Sequence, residues 1–373
     1  MIVESERVSE IAWNNALKET PNGTLFQSTH WAEFLKKTFR DKPIYITALD
    51  KAGNIQGLLL AIESCYGNSP LINLAGKHGF LFGKFYKHTI SPLFHKMLPY
   101  ILWEKGPVIL PQFSTEMHFR EALYREMVQE ILNIACKRKS YAIKFARPAL
   151  FDDNPALFSL LGFQKKKMGT ILVDLDHPLE FLWKRIDRSA RKNIGRIEQD
   201  LQVFQMSKFD ELKEFHNLHV QSTRRLKMKT YPFSFFKCLW DCFFPKNEIV
   251  GFIAFYKGEP IGASISLMYN KMIHEYAYAD SDYARLNRIY VIDALKWHII
   301  KWAHDMNFEY FDLSGVQLYK INAGDEKARN IYRFKAKWGG QLIEYHDYKK
   351  PFKEKKLARF LSRFLIEGEG EHT

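Results

Sequence analysis

Residues Tyr310–Gly340 read YFDLSGVQLYKINAGDEKARNIYRFKAKWGG, and the reading of this stretch decides how the rest of the chain is understood. Phe311 and Leu313 alternate with Asp312 as in a strand with one buried face. Ser314-Gly315 ends the strand, and Glu326 to Lys337 forms a helix stopped by Gly339-Gly340. Lys335 falls between Phe334 and Trp338, so its stem has aromatic surface to pack against while its ammonium stays free to face negative charge. The same residues also fit a plain core strand and a capping helix.

Working outward, the chain contains one pattern twice. YITALDKAGNIQGLLLAIES (45–64) and GFIAFYKGEPIGASISLMYN (251–270) each read as strand, glycine-containing turn, strand, with Lys51 and Lys257, Gly53 and Gly258, and Gly57 and Gly262 in step. Phe119, Leu123, Met127 and Ile131 then recur every four residues, as in a helix burying one stripe, before a strand over 141–147. The second half answers with Ile292, Leu295, Ile299 and Trp302, followed by a strand over 309–315. LLGFQKKKMGTILVDL (160–175) parallels RFKAKWGGQLIEYHDY (333–348), each a short helix running through glycine into an alternating strand. The expectation is an α/β (α+β) protein built by tandem duplication, each copy a mixed central sheet flanked by helices. The copies span 1–176 and 177–350, and 351–373 adds a basic amphipathic helix.

At 373 residues the chain exceeds the roughly 250–300 at which one core usually splits, in agreement with two domains. Its 55 basic and 42 acidic residues leave a formal charge of +13, which favours a polyanionic partner or an anionic surface. Cys65, Cys136, Cys238 and Cys242 make no disulfide framework, and Cys238 and Cys242, four apart in an apolar helix-like run, read as reduced core or near-core residues. The first residues, MIVESERVSEIAWNNALK, lack a basic region followed by an apolar run, so no signal peptide is expected. No apolar run approaches the ~20 residues that cross a bilayer. A cytoplasmic protein, peripheral at most, is the expectation. The histidines show no metal-ligand spacing, and neither a G-x-S-x-G elbow nor a Walker loop is present, so metal, serine-hydrolase and NTPase chemistry are not expected.

FDLSGV (311–316), then GDE (324–326), then IYRFKAKWGG (331–340) resemble the C-terminal signature of the FemAB family of non-ribosomal peptidyl transferases, whose domains have the GNAT acetyltransferase fold. LFQSTHWAEFLKKTF (25–39), KGPVILP (105–111), DRSARKNIGRIEQD (187–200) and HVQSTRRLKMKTYP (219–232) are similar to family segments in the same order, and Ser28 or Thr29 stands where a helix cap belongs. The resemblance covers roughly 24–348. It departs from the family at Leu110, where the peptidoglycan enzymes carry an aspartate, and that opens the acceptor to another envelope saccharide or peptide amine. Ordinary GNAT enzymes cradle the coenzyme A pyrophosphate with a glycine-rich loop after the central strand. Here SDYARLNRIYVIDALKWH (281–298) contains no glycine, and 114–119 is equally glycine-free, so acyl-CoA is a less fitting donor than the aminoacyl-tRNA that the resemblance implies. No cofactor is expected.

The reaction implied is amide formation between an activated carbonyl and an amine on a cell-wall or envelope precursor; the alternatives are an acyl-CoA-dependent GNAT N-acyltransferase and a non-catalytic module that keeps the fold and holds a polyanion in its basic grooves. Lys335 is the candidate for oxyanion stabilisation, and Asp312 or Asp280 for taking the amine proton. Arg188 and Arg191, in a basic helical run from Lys184 to Arg196, and Arg224 and Arg225 with Thr223 and Tyr231 are candidate contacts to a tRNA or a nucleotide- or lipid-linked precursor; a solvated helix face explains the first run equally well. Tyr278, Phe334 and Trp338 complete the expected substrate-binding set. In the tail, Leu357, Phe360, Leu361, Phe364 and Leu365 form an apolar stripe among basic residues, read either as a membrane contact over 353–366 or as a brace on the first domain.

Overall fold

The computed structural model describes residues 2–4, 8–65, 99–111, 117–146 and 155–352. The tail expected to be amphipathic lies outside them. Two compact units emerge: Met1–Lys167 with Tyr345–Thr373, and Met168–Glu344.

The chain runs β1 (Ile2–Glu4), α1 (Glu10–Lys18), α2 (Thr29–Phe39), β2 (Lys42–Leu49), β3 (Ile55–Cys65), β4 (Pro99–Glu104), β5 (Val108–Ile109), α3 (Met117–Lys137), β6 (Ala142–Ala146), α4 (Pro155–Leu160) and β7 (Gln164–Asp174). The second repeat follows with α5 (Leu179–Arg185), α6 (Arg188–Gly195), β8 (Leu201–Gln205), α7 (Phe209–Arg225), α8 (Phe233–Phe243), β9 (Ile249–Tyr256), β10 (Glu259–Tyr269), β11 (Met272–Asp280), α9 (Asp282–Leu286), α10 (Val291–Asp305), β12 (Tyr310–Val316), α11 (Leu318–Asn322), α12 (Glu326–Ala336) and β13 (Gln341–Pro351).

The two sheets have one plan. In the first unit the order is β1-β2-β3-β4-β6-β13, and in the second β8-β9-β10-β11-β12-β7. The hairpins β2/β3 and β9/β10 are antiparallel, as are β3/β4 and β10/β11. The central pairs β4/β6 and β11/β12 are parallel, and an antiparallel strand follows each. Both hairpin turns need left-handed backbone: Gly53 (φ 89°) in the first, and Lys257 (φ 52°) with Gly258 (φ 84°) in the second. Asp50 holds the longer first turn by accepting from the amides of Ala52 and Asn54 at 2.8 Å.

That last antiparallel strand corrects the expected boundaries. The final strand of each repeat pairs in the other unit's sheet: Gly169–Asp174 of β7 pairs with β12, and Asp347–Pro351 of β13 pairs with β6. The division therefore falls inside β7 and β13, at Lys167 and Tyr345, rather than near Asp176. Phe119 departs from the expected stripe of α3, being 38% exposed, whereas Leu123, Met127 and Ile131 are buried. On α10, Leu295 and Ile299 are buried, with Ile292 and Trp302 packed against the same core. Gly262 lets that helix close on β10: a Cβ there would stand 2.6 Å from Val291. Among the described residues no helix is long and apolar enough to cross a membrane.

Candidate acyl-transfer site

The functional geometry starts from an interrupted ladder. β11 and β12 pair for three steps, Met272 with Tyr310, Ile273 with Phe311 and His274 with Asp312, and then part although β11 continues to Asp280 and β12 to Val316. Two local irregularities accompany the parting. A register shift between Ile265 and Ser266 on β10 bulges β11 at Tyr276, and a second shift on β12 lies between Asp312 and Gly315, around Ser314 at φ 66°. The strand therefore continues past Ser314-Gly315, which the sequence takes as its end, because Gly315 and Val316 regain partners in Thr170 and Gly169.

Asp312 anchors this opening. Its carboxylate is buried and accepts from the Thr170 hydroxyl and from the Ser314 amide at 2.8 Å, while Nδ1 of His274 lies 3.1 Å away. Such a set of bonds offsets the desolvation of a buried carboxylate and fixes the direction in which β12 leaves β11. The Ser314 hydroxyl then spans the gap, donating to the Glu275 carbonyl at 2.7 Å.

Three lysines converge beside the opening. Lys335, on the last turn of α12, donates to the Gly315 carbonyl at 3.0 Å. Lys296 projects from α10, fully buried, and is paired with Glu275. Lys337 pairs with Asp293 at 2.6 Å, and Asn193 donates to the other oxygen of Asp293 at 2.9 Å. Among the described residues, then, Lys296 and Lys337 have carboxylate partners and Lys335 has none. Burial lowers the pKa of Lys335, against which the charges of Glu275 and Asp312 work. The pKa of Lys296 is likewise lowered by burial and supported chiefly by Glu275. A positive charge poorly solvated and bonded only to a carbonyl is poised to bind developing negative charge.

The aromatic side chains expected beside Lys335 are present, but the ammonium groups over them belong to its neighbours. Lys337 lies 4.4 Å from the Phe334 ring centre and 5.4 Å from that of Trp338; Lys296 lies 4.2 Å from Tyr278, 5.5 Å from Phe334 and 5.9 Å from Trp338. Burial raises the Tyr278 phenol well above its ordinary pKa, and its hydroxyl and the Trp338 indole N–H have no hydrogen-bond partner among the described residues. Lys296, Glu275 and Lys337 are absent from the sequence-derived set. Their one signal is the polar pair Asp293 and Lys296 inside the apolar run VIDALKWHII (291–300), where a lysine on a buried helix demands a partner.

The remaining expected residues separate into two groups. The α5–α6 segment, which carries Arg188 and Arg191, abuts the end of α12, since the Asp187 amide donates to the Lys337 carbonyl at 2.7 Å. Arg188 is exposed, and Nε of Arg191 is buried with no hydrogen-bond partner among the described residues. Arg224 and Arg225 instead stand at the end of β11, where Arg225 pairs with Asp280 and both pair with Asp282, at 2.8 Å for Arg224 and 2.7 Å for Arg225. Arg285 adds a bond to Asp280 at 3.0 Å. Asp280, the second expected proton acceptor, is thus committed to guanidinium groups. Thr223 is buried, bonding the His219 carbonyl and Thr230 at 2.7 Å each, and Tyr231 stacks on Phe235 with ring centres 4.3 Å apart. Tyr231 belongs to an aromatic packing cluster with His219, Phe235 and Phe236. Leu110, the departure from the family pattern, is a buried core residue of the first unit. Among the described residues no cluster suited to a metal ion occurs.

Residues 184–336 match the family model described as the Acetyltransferase (GNAT) domain. A tandem GNAT protein from the clavulanic acid biosynthesis pathway aligns over 95% of this chain and 99% of its own at TM-score 0.53 and 9% identity. The crystal structure of FemX aligns over 98% of this chain and 99% of its own, at TM-score 0.72 and 15% identity. The chain has the tandem GNAT fold of FemX. The C-terminal domain of a putative lysylphosphatidylglycerol synthetase from Agrobacterium fabrum is also similar, over 96% of this chain and 98% of its own, at TM-score 0.54 and 11% identity. No curated protein matches the sequence. The likeness to these solved structures thus covers the fold of nearly the whole chain, whereas the GNAT family model matches within its second half.

Proposed function

We propose that the second unit transfers an aminoacyl group from a tRNA ester to an amine on an envelope precursor. The observation that carries this reading is Lys335, a partly buried lysine that has no carboxylate partner among the described residues and stands at an opened central ladder. The amine attacks the ester carbonyl, and the negative charge that grows on the carbonyl oxygen is met by the Lys335 ammonium. The proton lost by the amine goes to Glu275, which stands at the first step past the last β11/β12 pair and is paired with Lys296. Collapse of the tetrahedral intermediate forms the amide, breaks the acyl–oxygen bond and returns that proton to the leaving ribose oxygen.

Two features favour a tRNA ester over acyl-CoA. The segment after β11 has no glycine to admit a pyrophosphate to the backbone, and the arginines there are occupied by Asp280 and Asp282, whose charges repel one. FemX and the putative lysylphosphatidylglycerol synthetase among the structural relatives agree with aminoacyl transfer. The test incubates the protein with charged tRNA or with acyl-CoA, each with a mixture of amine acceptors, and follows amide formation. Amide from charged tRNA alone is the expected result; amide from acyl-CoA alone would reassign the donor.

A further inference from the structure

Two loops at the end of β11 share one design, an exposed aliphatic side chain among basic residues. The first, Arg224-Arg225-Leu226-Lys227-Met228-Lys229, closes α7; the second, Arg285-Leu286-Asn287-Arg288, closes α9. Both chains turn through a left-handed residue, Lys227 at φ 53° and Arg288 at φ 55°. The loops are locked together: Asp282 bonds Arg224 and Arg225, and its amide donates to the Gln221 side chain at 3.0 Å. On this block Leu286 is 84% exposed, Leu226 49%, Met228 47% and Tyr283 52%.

Single exposed leucines are ordinary on protein surfaces. Here the aliphatic groups coincide with an excess of charge: six basic residues (Arg224, Arg225, Lys227, Lys229, Arg285, Arg288) against Asp280 and Asp282. The pairing also has a geometric consequence. The carboxylates hold the arginines nearest the strand, while Lys227 and Arg288, at the turns beside the leucines, are left to solvent.

The chemistry of the exposed groups selects the occupant. Single-stranded nucleic acid binds through phosphate contacts and base stacking on aromatic faces, for which this block offers Tyr283 and, at the loop's end, Tyr290, fewer aromatic than aliphatic groups beside Leu226, Met228 and Leu286. Aliphatic side chains surrounded by lysine and arginine, with a tyrosine among them, suit the headgroup region of an anionic bilayer, where the apolar tips leave water and the cations meet lipid phosphate. We propose that the α7–α8 and α9–α10 loops dock the protein on an anionic membrane surface. The docking is independent of the donor assigned above and needs no membrane-spanning segment.

The experiment is co-sedimentation of the full chain with vesicles of phosphatidylcholine alone or with about one-third phosphatidylglycerol, alongside a single-stranded RNA binding assay. Wild-type protein should partition at least tenfold more strongly into the anionic vesicles. Leu226→Asp combined with Leu286→Asp should lower that partitioning about tenfold, and Lys227→Glu with Arg288→Glu should do the same, both with unchanged melting temperature. Residues 353–373 are present in every protein compared, so any contribution from them cancels. Equal binding of wild type to both vesicle types would overturn the proposal, as would anionic binding that survives both double variants. Loss of RNA binding with unaltered vesicle binding would assign the surface to nucleic acid and overturn it equally.

Discussion

Both units open a ladder in the middle of their sheets, and they treat the opening in opposite ways. In the first unit β3 and β4 pair from Ile62 with Leu102 to Cys65 with Pro99 and part beyond, as β3 extends toward Ile55 and β4 toward Glu104. The side chain of Gln27 fills that gap. It accepts from the Leu60 amide at 2.7 Å and donates to the carbonyls of Leu60 at 3.2 Å and Glu104 at 2.6 Å. Gly106 makes room, since a Cβ there would lie 2.7 Å from the Gln27 side chain. The parallel pair β4/β6, counterpart of β11/β12, stays joined through Glu104 with Ala146, and Trp103 stacks on Phe145 with ring centres 4.3 Å apart. In the second unit the opening moves to the parallel pair and is bridged by the Ser314 hydroxyl and flanked by Lys335. Duplication thus supplies one sheet plan twice, while a single inserted amide decides whether backbone groups at an opening are spent on structure or left for a ligand.

The largest expected effect tests the open side. Lys335→Met keeps the aliphatic stem and removes the charge, so turnover should fall by about 10²–10³ if the ammonium stabilises the oxyanion. The melting temperature should hold, because the ammonium is only partly buried and, among the described residues, has no carboxylate partner to lose. Activity retained within a few-fold in steady-state assays would remove Lys335 from the chemistry and make the two openings alike. The second effect tests the filled side. Gln27→Ala strands the Leu60 amide and two carbonyls and should lower stability by about 2–3 kcal/mol in denaturant unfolding. A loss below about 0.5 kcal/mol would mean that water replaces the amide and that the first opening is not sealed.

The contrast was only partly legible in the sequence. Hairpins announced themselves through Gly53 and Gly258, and α10 through its apolar period, because these signals act over a few residues. Which sheet a strand joins is tertiary information, and nothing local to Gln341–Pro351 says that its end pairs with Ala142–Ala146. Lys335 stood out because it interrupts an aromatic segment. Glu275 and Lys296 are separated by 21 residues and become a pair only when α10 closes over β11. Asp312 and Asp280 read as candidate proton acceptors, and only the folded chain supplies Thr170, His274 and the arginines that engage them. Gln27 carried no signal at all, since a glutamine beside a helix cap is ordinary surface sequence.

The smallest effect separates the units by the sign of their response to acid. In the first, burial raises the Asp347 carboxyl from 3.8 to about 6, opposed by Lys166 and His346, and Glu104 is raised for the same reason with Asp347 adding to it. The folded state therefore binds more protons than the unfolded chain between pH 3.8 and about 6, so this unit loses stability as pH rises through that window. In the second, burial lowers His219 from 6.5 to about 4, with His216 adding to the effect, and Nε2 accepts from the Tyr231 amide, a bond that protonation would break. Here the unfolded chain binds more protons between about 4 and 6.5, and stability present above that window is lost as pH falls. Each contribution should be about 1–2 kcal/mol after allowance for partial solvation. Hydrogen exchange read by mass spectrometry at pH 7 and pH 5, corrected for intrinsic rates, should show β6 amides gaining protection on acidification while α7 amides lose it. Asp347→Asn should flatten the first response and His219→Gln the second. Responses of the same sign in both units would mean that the two burials do not govern local stability, and that the difference between the units is confined to their openings.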